Sequence, residues 1–214
     1  MSIQDLFDEL DWDGIVDHYY ERLHIHETLL SYFRSGDLTK FPDLLVGISD
    51  VHGNYSARDH DLGPRILREN VNSRKRLYEI SAKFLELDDA RTVPEIIRAA
   101  GMKYFQIGVG SEASCMLNPT VCWITNTRTV WAHLVLKHGG SVSRANAELA
   151  LYRDGEEDSM MAYRNWRAIH RGMEESLNEL DRVSKEYLES DEAGDEGINY
   201  LWTDAISSAL YDAN

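Results

Sequence analysis

The residues best suited to chemistry are two aspartates on either side of a histidine, in the run Asp59-His60-Asp61. Residues two positions apart in a β-strand point to the same side, so a strand here would bring the two carboxylates together. Like charges held that close are unfavourable unless a cation lies between them, and a divalent cation carrying a phosphate is a usual partner for such a pair. The spacing therefore predicts that Asp59 and Asp61 hold Mg²⁺ or Mn²⁺ for metal-assisted phosphoryl or nucleotidyl transfer.

Two short strands joined by a loop are predicted to position this pair. The run at residues 44–48 is apolar and is bounded by Pro42, which is typical of a buried strand. Ser49 lies on the turn after this strand. A polar loop leads to a second predicted strand at residues 59–62, which Gly63-Pro64 ends.

The order of these features, an apolar strand, a Gly and Ser turn and then Asp-x-Asp, resembles the signature of the nucleotidyltransferase superfamily. It is closest to the minimal nucleotidyltransferases. The run Arg-Asp-His-Asp-Leu-Gly-Pro-Arg at residues 58–65 is also similar to an uncharacterised branch that carries Arg-Asp-His-Asp-Trp-Gly-Pro-Arg. The resemblance is confined to residues 44–65. It implies transfer of a nucleoside monophosphate from a Mg-bound nucleoside triphosphate to a hydroxyl of an unknown acceptor, whether a small molecule, a protein or an RNA end.

The resemblance also implies a division of roles within this segment. Backbone N–H groups of the Gly and Ser turn would hold the phosphates, as orphan donors at a helix start do. The two aspartates would bind a metal that neutralises developing charge, and an arginine would offset the remaining charge. The implied phosphate-binding residues are Gly47, Ser49, Arg58 and Arg65, and the implied metal ligands are Asp59 and Asp61.

The chain departs from the family pattern at two points. Ile48 separates Gly47 from Ser49, whereas the family has Gly and Ser adjacent. The family also needs a third carboxylate on a later strand, and the predicted strand at residues 104–109 contains none. Glu112, just past that strand, is the nearest candidate for a third carboxylate and catalytic base.

Three other interpretations of the same residues stay open. Asp-x-Asp beside Gly and Pro is also typical of an ordinary turn, with the aspartates capping backbone N–H groups and Arg58 or Arg65 pairing with them. The chain could be a non-catalytic interaction protein, antitoxin-like or regulatory, that retains the fold. The run His60-Asp61-Leu62-Gly63 also resembles the His-Asp-x-Gly segment of metal-dependent His-Asp phosphohydrolases.

Two more segments repeat parts of known motifs. Gly110-Ser111 repeats the Gly and Ser pair, but no acidic residue follows near residues 121–124, which predicts a structural turn or part of a pocket wall. Arg164-Asn165 followed by His170 resembles the motif of the helical nuclease domains often partnered with minimal nucleotidyltransferases. A surface Arg and His on an amphipathic helix is the alternative.

The remaining pattern predicts an α+β fold. Helical periodicity marks the N-terminal segment to about Phe33, residues 74–87, and a helix from Thr92 to Gly101. After about Ser141 the pattern is almost wholly helical. We therefore expect a small nucleotidyltransferase-like mixed sheet with helices over residues 1–140, followed by a helical domain over residues 141–214.

Composition limits the possible partners. A formal charge of −15 argues against broad binding to nucleic-acid phosphates, which depends on clustered Lys and Arg. The apolar runs are too short to cross a bilayer and the N-terminus lacks the features of a signal peptide, so we expect a cytoplasmic protein without a membrane partner. Cys115 and Cys122 are expected to be buried thiols. A homo-oligomer or a protein partner bound through the helical half is possible.

Overall fold

The computed structural model describes residues 3–53, 55–153, 160–188 and 199–214, with the backbone alone at Ser56 and Asp59. Every regular element within these residues is helical, so the predicted α+β fold with a mixed sheet is wrong. In chain order the helices are α1 (Ile3–Asp8), α2 (Trp12–Arg34), α3 (Lys40–Leu45), α4 (Ser56–Asp59), α5 (Leu62–Glu69), α6 (Ser73–Leu85), α7 (Val93–Ala100), α8 (Ile107–Leu117), α9 (Thr127–Lys137), α10 (Val142–Arg153), α11 (Met160–Gly172), α12 (Glu174–Ser184) and α13 (Tyr200–Asp212).

The chain divides into two compact units. The central unit contains residues 20–126, and the terminal unit contains the residues up to Tyr19 together with those from Thr127 onward. These limits differ from the expected boundary after residue 140. The segment that carries Asp59 and Asp61 lies wholly within the central unit.

Helix α8 is the core of the central unit. Nearly all of its residues are buried, and it packs against α4, α6 and α7. A helix that is apolar on all sides needs neighbours on all sides, so its sequence favours an interior position. Cys115 lies within α8 and Cys122 follows it, and both are buried free thiols, as expected.

Helix α13 has the same role in the terminal unit, where it packs against α9 and α12. Trp202 on α13 is buried, and its Nε1 donates a hydrogen bond to Ser184 Oγ at 2.8 Å. Trp131 on α9 donates in the same way to Asn146 Oδ1 at 2.6 Å. These indoles bury large apolar surfaces while their N–H groups are satisfied, which identifies them as core anchors.

The segment predicted as the first strand forms helix α3 and its end. Pro42 falls in the first turn of α3, where a missing N–H costs no helical hydrogen bond, so it helps to start a helix. Asp37 Oδ1 accepts hydrogen bonds from the N–H groups of Lys40 and Thr39, each 2.9 Å long. These bonds lower the pKa of Asp37, and the bond from Lys40 has the larger effect. A short apolar run cannot be told from a buried helix by periodicity alone.

The other predicted strands are also replaced. Residues 59–62 span the end of α4 and the start of α5, and residues 104–109 span a turn and the start of α8. The helix predictions are confirmed by α2, by α6 and by α7, which ends at Gly101 in the left-handed conformation (φ +56°). Helices with clear helical periodicity were therefore predictable, whereas the structure of short apolar runs was not.

Candidate functional site

Gly47 ends helix α3 as its capping glycine. Its φ is +75°, and its N–H donates to the carbonyl of Leu44 at 3.0 Å, while the N–H of Ile48 donates to the carbonyl of Asp43 at 2.8 Å. This pair of hydrogen bonds defines a Schellman motif. The N–H of Ser49 also donates to Asp43, at 3.3 Å. The backbone N–H groups of Gly47, Ile48 and Ser49 are therefore used in the helix cap. The Ser49 side chain is exposed, so its hydroxyl is the polar group of this turn that is accessible to a ligand.

A second constraint fixes glycine at position 47. A Cβ built there would lie 2.7 Å from Cβ of Tyr55, closer than side chains pack. Tyr55 itself is 1% exposed. The turn after α3 therefore lies directly on a buried tyrosine, and any larger residue at Gly47 would be both strained and too close.

The turn after α3 and the turn between α4 and α5 form one surface. A Cβ built at Gly63, in the first turn of α5, would lie 2.5 Å from the carbonyl oxygen of Val46 and 2.9 Å from Cγ1 of Ile48. Only glycine allows α5 to start this close to the end of α3. We call these two segments, residues 46–50 and 60–63, the paired turns; they bring together the two halves of the motif recognised in the sequence.

Asp61 lies on this surface in an unusual backbone conformation. It has φ +50° and ψ +37°, precedes the first residue of α5, and is exposed. Its carboxylate makes no capping hydrogen bond to α5, as far as the described residues show. Asp61 is therefore not the backbone cap that an ordinary turn would need, and its oxygens are accessible to a ligand. The side chain of Asp59, the other predicted metal ligand, lies outside the described part of the chain.

Arg58 holds the loop before α4. Its Nη1 donates to the carbonyl oxygen of Asp50 at 3.0 Å. Asp50 is buried and its Oδ1 accepts from the N–H of His52 at 3.1 Å. This network keeps the loop after Ser49 folded toward α4, and it gives Arg58 a structural contact in addition to its predicted role toward phosphate.

Arg65 lies on α5, four residues after Asp61. Its guanidinium carbon is 3.9 Å from the ring centroid of Tyr104, a close cation–π contact. Its Nε is 4.0 Å from Oε1 of Glu69, at the outer limit of an ion pair, and 40% of the side chain is exposed. One face of the Arg65 guanidinium is thus held against the Tyr104 ring, while part of the side chain is open to solvent.

Glu112 belongs to the interior rather than to the exposed surface. It is 1% exposed on α8, in a region that also buries Arg22, Asp50 and Tyr55. Burial is the main cause that raises the pKa of Tyr55 well above its usual value; the charge of Glu112 adds to this, Arg22 opposes it, and Asp50 adds again. The structure thus places Glu112 in a buried charge cluster beneath the Gly47 turn, and its role as third carboxylate stays a prediction.

The oxygen atoms of the paired turns are too few to bind Mg²⁺ by themselves, so a substrate would have to supply the remaining ligands. Among the described residues, no group of three His, Cys, Asp or Glu side chains is arranged to hold a metal. Mg²⁺ does not require such a group, because it is commonly held by one or two carboxylates together with phosphate oxygens of a substrate. The exposed carboxylate of Asp61, with the exposed Ser49 hydroxyl on the adjoining turn, meets that smaller requirement.

The two remaining motif segments are not assembled into exposed sites. Gly110 and Ser111 lie within α8 and are buried, so the expected turn is a helix. Arg164 is exposed on α11, while His170 on the same helix is fully buried. His170 is therefore not the surface histidine that the amphipathic pattern indicated.

Sequence reasoning missed Tyr104 and Asn70. Tyr104 has φ +65°, a conformation that a bulky side chain rarely adopts, so no residue preference could have indicated it. Asn70 follows α5 and is nearly buried, and its amide bonds to the backbone of Lys103 in both directions. No spacing rule links positions so far apart in the chain.

Comparison of this chain with protein-family models, curated proteins and solved structures finds no match. In the described part of the chain, the helices are too short or too polar to span a membrane.

Proposed function

We propose that the central unit binds a nucleoside triphosphate as its Mg complex at the paired turns and transfers a nucleoside monophosphate to a hydroxyl acceptor. The observation that carries the proposal is the close packing of Gly63 on the Val46 carbonyl, which brings the turn that contains exposed Ser49 against the start of α5, where exposed Asp61 lies. The motif at residues 44–65 supplies the chemical class. The helical structure removes the sheet as an argument, so the support comes from this motif and from the packing of the two turns.

The roles follow from the chemistry of each side chain. Asp61, with Asp59 as the predicted second ligand, supplies hard oxygen donors; a bound Mg²⁺ would neutralise charge on the phosphates. The Ser49 hydroxyl donates to a phosphate oxygen. Arg65 offers a planar guanidinium, the group best matched to phosphate oxygens. Positioning and electrostatics then contribute most of the rate acceleration, as in other phosphoryl transfers.

Calorimetric titration of Mg·ATP and Mg·GTP into the full chain tests the proposal. We expect binding heat that disappears with EDTA, in Asp61→Asn and in the Asp59→Ala/Asp61→Ala double variant. Asp88→Asn is the matched control, because Asp88 is an exposed aspartate of the same unit outside the motif at residues 44–65. Absence of heat with every triphosphate, at concentrations that detect millimolar affinity, would contradict the proposal. Release of pyrophosphate with candidate hydroxyl acceptors then tests transfer.

One observation favours the interaction-protein alternative. Ile48 and Val51, in and beside the first of the paired turns, are 42% and 79% exposed. Apolar side chains at such exposure are found at binding surfaces. If no triphosphate binds, sedimentation equilibrium of wild type and Val51→Asp tests this alternative; self-association that the substitution abolishes would support it.

A further inference from the structure

A tyrosine outside the recognised motif contacts the arginine that we assign to phosphate binding. The Tyr104 ring lies under Arg65, with the guanidinium carbon 3.9 Å from the ring centroid, and the Tyr104 Oη donates to Glu69 Oε2 at 3.0 Å. Glu69 also lies 4.0 Å from Arg65 Nε. The tyrosine and the carboxylate therefore fix the arginine from two directions.

Tyr104 is held in place at a conformational cost. Its φ of +65° lies in the left-handed region, which is unfavourable for a bulky L-residue. Asn70 clamps the preceding residue: its Nδ2 donates to the carbonyl of Lys103 at 3.1 Å, and its Oδ1 accepts from the N–H of Lys103 at 2.8 Å. The same Nδ2 donates to the carbonyl of Ile66 at 2.9 Å, which ties the clamp to α5. Such over-determined strain is concentrated at functional sites.

Arg65 keeps an accessible guanidinium although a carboxylate lies beside it. Arg65 and Arg68 share that carboxylate, Glu69, with Arg68 Nη2 3.7 Å from its Oε1. The Arg65 side chain is 40% exposed, so its guanidinium is open to an anionic ligand.

We propose that Tyr104 is a positioning residue: it holds the Arg65 guanidinium so that its N–H donors bind the terminal phosphates of a nucleoside triphosphate. Stacking uses the face of the guanidinium and leaves its in-plane donors for phosphate oxygens. Arg65 lies four residues after Asp61, and in this arrangement its donors and the Asp61 carboxylate act on one polyphosphate. This inference rests on the proposed function for the identity of the ligand. It adds Tyr104 to the binding site and names the terminal phosphates as the part of the substrate that Arg65 binds.

The test titrates two probes, metal-free sodium tripolyphosphate and Mg·ATP, into wild type and five variants: Arg65→Lys, Tyr104→Asn, Tyr104→Phe, Arg65→Lys/Tyr104→Asn and Arg68→Lys. Asn tolerates the left-handed conformation but lacks the ring, and Phe keeps the ring but lacks the hydroxyl. Arg68→Lys is the matched control, because Arg68 shares Glu69 without stacking on Tyr104. Far-UV circular dichroism and urea unfolding establish that each variant is folded.

We expect Arg65→Lys and Tyr104→Asn each to weaken tripolyphosphate binding about fivefold, the upper end of what a cation–π contact contributes when the arginine is 40% exposed. The double variant should be no weaker than either single variant, because both changes remove one positioned guanidinium. Tyr104→Phe should stay within about twofold of wild type, because the ring contact remains. Arg68→Lys should leave the affinity unchanged.

The outcomes separate this inference from the proposed function. Tripolyphosphate binding that Tyr104→Asn weakens, without any Mg·ATP binding, supports the positioning role and contradicts nucleotidyl transfer. Mg·ATP binding that Tyr104→Asn leaves unchanged contradicts the positioning role and leaves the proposed function standing. Additive losses in the double variant, or no tripolyphosphate binding by wild type, would overturn the inference.

Discussion

A glycine is followed within two residues by a serine at two places in the central unit, Gly47-Ile48-Ser49 and Gly110-Ser111, and the two places have different structures. At the first place the glycine has φ +75° and ends a helix, and the serine is exposed. At the second both residues are buried in α8, where the Ser111 hydroxyl accepts from the N–H of Thr125 at 2.9 Å. The first hydroxyl can reach a ligand, whereas the second serves only the fold.

The two Gly and Ser segments are similar in sequence, so their different structures arise from the residues that pack against them. Ile97 packs against Gly110, where any Cβ would overlap its side chain, so α8 needs glycine for close helix packing. Gly47 needs glycine for its left-handed φ and for Tyr55 beneath it. A short pattern therefore identifies where glycine is required without saying whether a site lies there. Substitutions that separate a contribution to stability from a contribution to binding can test this distinction.

Gly63→Ala should give the largest effect. The added methyl group would lie 2.5 Å from the Val46 carbonyl oxygen, which is backbone and cannot rotate away, so the paired turns must separate. We expect a loss of about 2 to 3 kcal/mol in the free energy of unfolding and loss of triphosphate binding. Urea unfolding and calorimetric titration measure the two effects.

Gly172→Ala provides the control for this substitution. Gly172 is the last residue of α11, and a Cβ there would meet nothing within 4 Å. Alanine should be neutral or stabilise by up to about 1 kcal/mol, because it restricts the unfolded chain. If Gly63→Ala behaved like Gly172→Ala, the paired turns would not depend on this contact.

Ser111→Ala should rank second and should act on stability alone. Removing the hydroxyl leaves the buried N–H of Thr125 without that acceptor, which costs about 1 to 3 kcal/mol of unfolding free energy. Ser207→Ala is the control, because the buried Ser207 hydroxyl donates only to a carbonyl one turn earlier, that of Thr203. Ser207→Ala should reduce the free energy of unfolding less than Ser111→Ala does. Thermal and urea unfolding would show the difference, and equal losses would contradict the role given to Thr125.

These cases indicate how much could be predicted from the sequence. The Thr92 to Gly101 helix was predictable because Pro94 in its first turn and Gly101 at its end act locally, although the Thr92 side chain makes no capping hydrogen bond. Gly47 carried a helix C-cap signal that the apolar run before it obscured. The strands were not predictable correctly, because a short apolar run suits a buried strand and a buried helix end equally well. The spacing indicates Asp61 as a candidate ligand, and that role stays a prediction; its left-handed backbone could not be predicted.

Tyr104 marks the limit of sequence reasoning. It is distant in sequence from Arg65, and its residue type disfavours the conformation it adopts. Only tertiary contacts, the Asn70 clamp and the bond to Glu69, select that conformation. Residues fixed by long-range contacts of this kind cannot be found by motif or periodicity.

Asp61→Gly should have a smaller effect and one of opposite sign on stability. Glycine adopts the φ of +50° without strain, so the free energy of unfolding should rise by up to about 1 kcal/mol, reduced slightly by loss of a negative charge at the start of α5. Mg·ATP binding should be lost, as in Asp61→Asn, whose stability should match wild type. A less stable Asp61→Gly would mean that the carboxylate supports the fold.

Ser49→Ala should change the free energy of unfolding least. It therefore gives the clearest contrast with Ser111→Ala, which should affect stability alone. The Ser49 side chain is exposed, and the backbone bond from its N–H to the Asp43 carbonyl survives the substitution, so unfolding free energy should stay within about 0.5 kcal/mol of wild type. Mg·ATP affinity should fall several-fold, since one hydrogen bond to a charged oxygen contributes about 1.5 kcal/mol or more. Ser111→Ala should show the reverse, reduced stability with affinity kept once the protein is folded. If Ser49→Ala instead leaves affinity unchanged while Asp61→Asn abolishes it, the ligand contacts only the second of the paired turns, and the Gly47 turn acts solely as the cap of α3.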